Sequence, residues 1–519
     1  MTDTADHPRQ PVRAALLLLI VFVIAVCGLV YELIAGALAS YLLGDSITQF
    51  SLVIGIFLTA MGIGSYLSRF IRKHLPVKLI LVELGVGMIG GLAALLGFAA
   101  FSYDLFDSEM LLGLVVLIGI LVGLEIPLVV RILQDQDNLR VTIANVLGID
   151  YLGALAASLL FPLFLLPQLG LVQAGLVMGL TNVLVGGLLT WTLPLSRRSR
   201  TRLQGITALC AVALVVCLFY CSQWISIFEN RIYQDEVIFS QRTAYQKVVI
   251  TRWREDIRLY LNGHLQFSSV DEYRYHESLV HPAMLSHHEP RQVLILGGGD
   301  GLALREVLTH ASVEHVDLVD LDDTVVNLFR EREMLTKLNG NALSDPRVAF
   351  HHVDAFQFVR TCEQRYDVIL ADLPDPSTAE LAKLYSQSFY GLIGKILRED
   401  GYLVTQATSP FRAREAFWCI DETIKSIVDT TDQRRFFTTP YHIHIPTFGS
   451  WGFILAGPSP LRMDDIEHRG AATWTTCRFL SQDVLASSLA FPPDMDRTPA
   501  GVSSLNMPLV NRYYQTGYH

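Results

Sequence analysis

Seven long apolar runs, at about 14–43, 47–68, 79–101, 110–133, 142–166, 169–193 and 203–222, constrain this chain more than any other feature. A helix crosses a hydrocarbon layer of ~30 Å with ~20 residues, and each run is long enough to do so. Short turn signals separate them, among them Gly44-Asp45-Ser46 and Pro167-Gln168-Leu169-Gly170. Over the 519 residues, 51% are hydrophobic and only 17% charged, too apolar a balance for a soluble enzyme. The charges gather outside 14–222, so a lipid-embedded half is expected to precede a water-soluble one. The net charge of −10 argues against a nucleic-acid partner. The first run has no small-residue cleavage site and exceeds a signal-peptide core, so it is expected to be retained.

Basic residues flank alternate runs. Arg9 and Arg13 precede the first; Arg69, Arg72, Lys73 and Lys78 follow the second; Arg131 and Arg140 close the fourth; Arg197, Arg198, Arg200 and Arg202 follow the sixth. The other loops hold no Lys or Arg. The excess of positive charge on cytoplasmic loops predicts a multi-pass protein of the inner (cell) membrane with a cytoplasmic N-terminus. Seven crossings then put the second half outside by parity, at odds with the cytosolic supply of the donor inferred below. Either one run fails to cross, the long first run with Glu32 being the candidate, or substrate arrives through the bundle. Glu32, Glu83, Glu125 and Asp150 lie within runs and are expected to face a bundle interior, as hydrogen-bonding groups or as a cation or proton path.

The second half changes period. "YQKVVITRW" alternates, and "IRLYLNGHLQF" carries the turn pair Asn262-Gly263, so a hairpin is predicted over about 230–270. "RQVLILGGGDG" is an apolar strand ending in glycines, followed by the helical "LALREVLTHA". "VEHVDLVDLD", "VAFHHVDAFQFV", "YDVILADLPDP" and "LIGKILREDGYLVTQA" continue strand–helix alternation, which predicts a parallel sheet covered on both faces. The expected organisation is a membrane domain over 1–222, a β-rich substrate subdomain over 223–290, a Rossmann-like transferase domain over 291–460 and an extension over 461–519. The tail after 460 carries no chemical signal. Seven cysteines, Cys27, Cys210, Cys217, Cys221, Cys362, Cys419 and Cys477, form no CxxC pair and are expected to be free thiols.

Ligands in such sheets bind beyond the carboxyl ends of the strands. There the chain places Gly297-Gly298-Gly299-Asp300-Gly301, then Asp320-Leu321-Asp322, then Asp354-Ala355, then Asp372 and Asp375. A glycine-rich loop with an acid about 20 residues later suits a nucleoside whose ribose hydroxyls meet that acid. Leu302 stands where a dinucleotide loop would want a small residue. Asp300 would repel the carboxylate of ordinary adenosylmethionine, so a decarboxylated, cationic donor tail fits better. Asp300 alone also fits a helix cap. An aliphatic amine is protonated at neutral pH, with a pKa near ~10.4. Asp372 is the candidate to take its proton as it attacks the carbon beside the sulfonium, and Asp375, set before Pro376, to help hold it.

These segments, with "LYLNGHLQFSSVDEYRYHESLVHPAM", resemble the spermidine synthases, the polyamine aminopropyltransferases, and the whole chain resembles their membrane-anchored, multi-spanning branch. The resemblance runs from about 243 to 456. It implies aminopropyl transfer from decarboxylated S-adenosylmethionine, a co-substrate rather than a prosthetic group, to putrescine or a related polyamine. It implies no metal. By position, Gln246, Gly297, Gly299, Asp320, Asp354 and Ala355 would bind the nucleoside; Tyr275, His276, Asp300 and Asp375 the amines; and Asp372 would accept the proton. Three departures stand out. Asp320 replaces the usual glutamate, "STAELAKLYS" replaces the usual loop after Asp375-Pro376, and Phe448 stands where many members have tyrosine. The acceptor is thus left open among diamines and longer polyamines. Two rival readings stand beside this one: a methyltransferase on the same fold, and a membrane polyamine transporter or sensor whose synthase-like domain only binds. The lipid bilayer is the expected surrounding, and a homo-oligomer is compatible with the sequence without being specified by it.

Overall fold

The computed structural model describes residues 11–43, 46–103, 108–133, 139–233, 235–243, 245–428 and 435–518. Arg9 and the turn pair Gly44-Asp45 lie outside the described residues. The chain divides into two compact units, Met1–Val237 and Ile238–His519.

The first unit is a bundle of long apolar helices: α1 (Pro11–Leu43), α2 (Ser46–Leu67), α3 (Leu75–Ser102), α4 (Ser108–Leu133), α5 (Leu139–Leu160), α6 (Leu166–Thr192) and α7 (Arg197–Tyr233). Among the described residues six continuous helical stretches are long and apolar enough to cross a membrane. One of them runs for 53 residues over Arg140–Thr192. As a single rod it would reach about 80 Å. It turns instead at Gly170, whose φ of 68° and ψ of −178° break the helix just after Pro167. The predicted turn at 167–170 is this break. α1 is the hub of the bundle and packs on α2, α3, α4, α5 and α6.

Small residues let these helices touch. A Cβ on Gly64 of α2 would lie 2.1 Å from the Ile120 carbonyl of α4, and one on Gly123 of α4 would lie 2.1 Å from that of Met61. α3 and α6 meet in the same way through Gly87 and Gly179. Glu32, Glu83 and Glu125 are buried in the bundle, as expected, and Asp150 is half-buried. Glu83 on α3 accepts a hydrogen bond from Asn182 Nδ2 on α6 at 3.2 Å. Arg131 spends its guanidinium on the carbonyls of Ser68 (2.9 Å) and Ile71 (2.8 Å), fastening the end of α2.

The second unit opens with a four-stranded sheet in the order β1-β2-β3-β4: β1 (Glu236–Arg242), β2 (Lys247–Trp253), β3 (Asp256–Leu261) and β4 (His264–Ser268). Asn262 and Gly263, at φ 51° and 85°, make the predicted turn between β3 and β4. Helix α8 (Glu272–Ser286) leads into a seven-stranded sheet: β5 (Gln292–Gly297), β6 (His315–Val319), β7 (Val348–His351), β8 (Tyr366–Asp372), β9 (Leu397–Gln406), β10 (Phe437–Ile445) and β11 (Gly449–Gly457). Their spatial order is β10-β11-β9-β8-β5-β6-β7. β7, β6, β5, β8 and β9 run parallel, while β11 and β10 add an antiparallel hairpin at one edge. This hairpin departs from the all-parallel expectation. Its strands are joined by only three residues, too few for the crossover a parallel partner needs. Along β5, Val293 and Ile295 enter one apolar core while Leu294 and Leu296 enter the other. Apolar residues on both faces mark a strand buried on both sides. Every cysteine is a free thiol.

Replacing Gly123 by Leu drives a side chain into the backbone of α2. The expected outcome is loss of folded protein in detergent, read by size-exclusion chromatography, with Gly113→Leu, which has open space around it, tolerated.

Candidate active site

The sheet order reverses between β5 and β8, and the crevice beyond those strand ends is where such sheets bind ligands. Gly297 ends β5 beside Asp372, which ends β8. The two backbones are so close that a Cβ on Gly297 would lie 1.9 Å from the Asp372 carbonyl, and φ at Gly297 is 87°. Only glycine satisfies both conditions. The loop then turns back through Gly298 and Gly301, at φ 69° and 78°, into helix α9 (Leu302–Leu308). This loop fixes Asp300 and shapes the space over Asp372.

Tyr275 and His276 come from α8. The Tyr275 hydroxyl donates to Asp372 Oδ1 at 2.7 Å, and its ring packs on Phe453 of β11. Burial, helped by the Asp372 charge, pushes that phenol well above its usual range. His276 Nδ1 lies 2.9 Å from Glu272 Oε2. Arg305 grips the same carboxylate at 2.9 and 3.0 Å. Burial alone would discharge His276, but the Glu272 bond and charge, backed by Asp300 and Asp372, lift it to about 9. A cationic imidazole therefore stands among the acids at neutral pH.

The acids share this field. Burial raises Asp300 to about 6, His276 pulls it down and Asp372 pushes it up. Burial also raises Asp372, against the charge of His276 and the Tyr275 hydrogen bond. Asp300 and Asp372 thus both lie within the field of His276. Asp300 Oδ1 accepts the Leu302 N–H at 2.9 Å, so it caps α9 as well. Asp375, raised by burial to about 6, accepts from Gln406 Nε2 at 3.3 Å and from the Tyr514 hydroxyl at 3.0 Å. Gln406 also bonds the Tyr385 hydroxyl, the Leu373 carbonyl (2.7 Å) and the Thr408 N–H (2.9 Å).

Asp320 lines the other side. Its Oδ2 accepts the Gly299 N–H and its Oδ1 the Asp322 N–H, both at 2.9 Å. A carboxylate has about four acceptor positions, so positions are left for hydroxyls. Gln246 Nε2 and the Thr243 hydroxyl both donate to Asp322 Oδ2, at 3.1 and 2.7 Å. Asp322 also caps helix α10 (Asp323–Glu331) through the Thr324 N–H. Gln246 is thereby tied to the rim by a residue outside the expected site. Asp354 caps the helix Ala355–Thr361 through the Gln357 N–H and meets Lys383 Nζ at 2.7 Å. Ala355 is the buried first residue of that helix. Phe448 packs against Trp451.

Glu272, Arg305, Lys383, Gln406 and Tyr514 were not among the residues the sequence singled out, and Asp322 stood there only as the neighbour of Asp320. Glu272 stood in the quoted "DEYRYHE", four residues before His276, the spacing at which helical side chains meet. Tyr514 lies 139 positions beyond Asp375 in a tail without a motif. Among the described residues no His, Cys, Asp and Glu group has metal-ligating geometry.

A Rossmann-like sheet with a glycine loop at its switch point and carboxylates gathered at the adjoining strand ends is the frame of a nucleoside-dependent transferase. Residues 272–462 match the spermine/spermidine synthase domain. A polyamine aminopropyltransferase of Leptospira interrogans is 44% identical over 95% of this chain and 97% of its own. Polyamine aminopropyltransferase 1 of Ralstonia nicotianae is 45% identical over 100% of this chain and 98% of its own. A solved spermidine synthase in complex with the transition state analogue AdoDATO is 27% identical, with a TM-score of 0.44, covering 49% of this chain and 85% of its own. The chain belongs to the polyamine aminopropyltransferase family. It is an enzyme, and its reaction is aminopropyl transfer, which sets aside the methyltransferase and the binding-only readings.

Glu272→Gln removes the charge that holds His276 protonated. The expected result is a fall of the His276 pKa from about 9 toward the ordinary ~6.5, measured by NMR titration of the imidazole.

Proposed function

We propose that the enzyme transfers the aminopropyl group of decarboxylated S-adenosylmethionine to putrescine or a closely related polyamine, giving spermidine and methylthioadenosine. The carrying observation is that Asp300 and Asp372 both lie in the field of His276, with the Asp372 charge raising Asp300, where the ends of β5 and β8 meet, and that Asp375 follows three residues on. Such a setting favours ammonium groups and disfavours a donor carboxylate, whose charge would meet acids already short of water. Gln246, Gly297, Gly299, Asp320, Asp354 and Ala355 hold the nucleoside. Tyr275, His276, Asp300 and Asp375 surround the amine groups, His276 as a cation that keeps the acids from repelling one another.

The acceptor enters as an ammonium ion. Asp372 receives one of its protons, and the freed lone pair attacks the propyl carbon next to sulfur. The C–N bond forms as the C–S bond breaks, its electrons stay on sulfur, and neutral methylthioadenosine leaves. Tyr275, donating to Asp372, orients the carboxylate for that transfer. The bound groups are held at reacting distance, which is where much of such a rate gain originates.

We further propose that the helical unit spans the cell membrane, with the basic connections on the cytoplasmic side. Two observations support this reading. Leu163, Leu209 and Phe219 are 75%, 71% and 75% exposed on the outside of a bundle whose acids point inward, an arrangement that suits lipid. The hub position of α1 favours its crossing with the others. A C-terminal reporter fusion then reads which face carries the transferase unit.

Asp372→Asn is expected to lower kcat by about 10²–10⁴ while leaving donor affinity within about threefold, checked by product formation and by calorimetry with decarboxylated against carboxylated adenosylmethionine. Equal binding of the two donors would defeat the charge argument. Ser196→Cys in a cysteine-free background should react with a membrane-impermeant maleimide only after cells are opened. Labelling of intact cells would reverse the proposed orientation.

A further inference from the structure

The acceptor site has a side that the family match does not include. Residues 463–519 lie beyond the matched segment 272–462, yet the helix Leu509–Tyr518 reaches Asp375 and the loop behind it. Tyr514 is buried and donates its hydroxyl to Asp375 Oδ2 at 3.0 Å. Its neighbours on the same helix fasten the backbone that follows. Asn511 Nδ2 donates to the Pro376 carbonyl at 2.8 Å, and Gln515 Nε2 to that of Ser377 at 2.5 Å. These three side chains, at i, i+3 and i+4, share one face of the helix, and all three meet residues 375–377. Ser377 opens "STAELAKLYS", the segment that departs from the usual loop after the Asp-Pro pair. A rebuilt loop is thus held by a helix from outside the synthase domain.

We propose that the helix Leu509–Tyr518 is a working wall of the amine-acceptor site, in which Tyr514 is a positioning residue for Asp375 while Asn511 and Gln515 clamp the loop beside it. The proposal rests on the reading of Asp375 as an amine-binding carboxylate. Asp375 is presented to the acceptor by two neutral donors, Gln406 from β9 and Tyr514 from this helix. The titratable groups around it are Asp372 at the end of β8, Tyr275 of α8, Tyr385 of the loop, and Tyr514 and Tyr518 of this helix. None of these is a cation. Among the described residues no cation pairs with Asp375, so an incoming ammonium is its charge partner, and the Tyr514 hydroxyl fixes the carboxylate plane that meets it. A hydrogen bond to a carboxylate stabilises the ionised form, so losing it moves the protonation of Asp375 to higher pH, upward from about 6.

The test compares Tyr514→Phe with Asp375→Asn in the full chain. Tyr514→Phe is expected to raise KM for the diamine about tenfold, with kcat within about threefold and donor KM unchanged. The acid limb of kcat/KM for the diamine should move to higher pH, a change that mere loss of packing would not produce. Asn511→Ala combined with Gln515→Ala should raise the same KM without moving that limb. If Asp375→Asn weakens the diamine but Tyr514→Phe moves neither KM nor the limb, the proposal fails and the acid's role stands. If neither variant affects the diamine, the placement of the amine at Asp375 fails and takes the proposal with it.

Discussion

Carboxylates withdrawn from water must be paired with donors or cations, and the transferase unit is organised around meeting that demand at the ends of β5 and β8. Leaving such a group without partners costs several kcal/mol. Asp372 has the Tyr275 hydroxyl and the field of His276. Asp300 has a backbone N–H and the same imidazolium. Asp375 has Gln406 and Tyr514. None of these arrangements supplies a full counter-charge to each acid. The deficit is what a doubly charged amine and a cationic donor tail can fill. The closeness of Gly297 to Asp372 enforces the geometry, because no other residue allows those two strand ends to meet.

His276 shows how a second layer sets the chemistry of the first. Its charge depends on Glu272, and Glu272 is kept ionised at depth by His276 and Arg305 together. Arg305 also bonds the Leu338 carbonyl at 2.6 Å, so the chain of charges is anchored in the body of the domain. The donor side is built in the same way. Asp320 steadies the glycine loop, and Asp322 brings the first sheet, through Gln246 and Thr243, to the rim of the second.

Much of this was legible from residues alone. Apolar run length marked the helices, and period-two alternation with Asn262-Gly263 marked the hairpin. The acids at the tips of β5, β6, β7 and β8 stood out because a strand that is apolar throughout advertises its polar end. What escaped the sequence was tertiary. Tyr514 and Asp375 are distant in the chain, and a helix of ten residues in a polar tail carries no sign of what it will touch. Asp322 looked like part of an acidic pair, but its neighbour Asp320 took the loop and Asp322 took Gln246. The β10–β11 edge was missed because Pro440 and the histidines of that stretch disguise its alternation. Among the helices, the glycines that mark the contacts between α2 and α4 are ordinary in composition and acquire meaning only where backbones cross.

Lys383 already pairs with Asp354, which the resemblance puts among the nucleoside-binding residues, its Nζ 2.7 Å from the carboxylate. The side chain belongs to the segment that follows Asp375. Asp354 in turn caps the helix Ala355–Thr361, so the pair ties that helix to the segment after Asp375. The rim's third acid and the loop after its last one therefore hang on a single salt contact, and a change at either end is carried to the other.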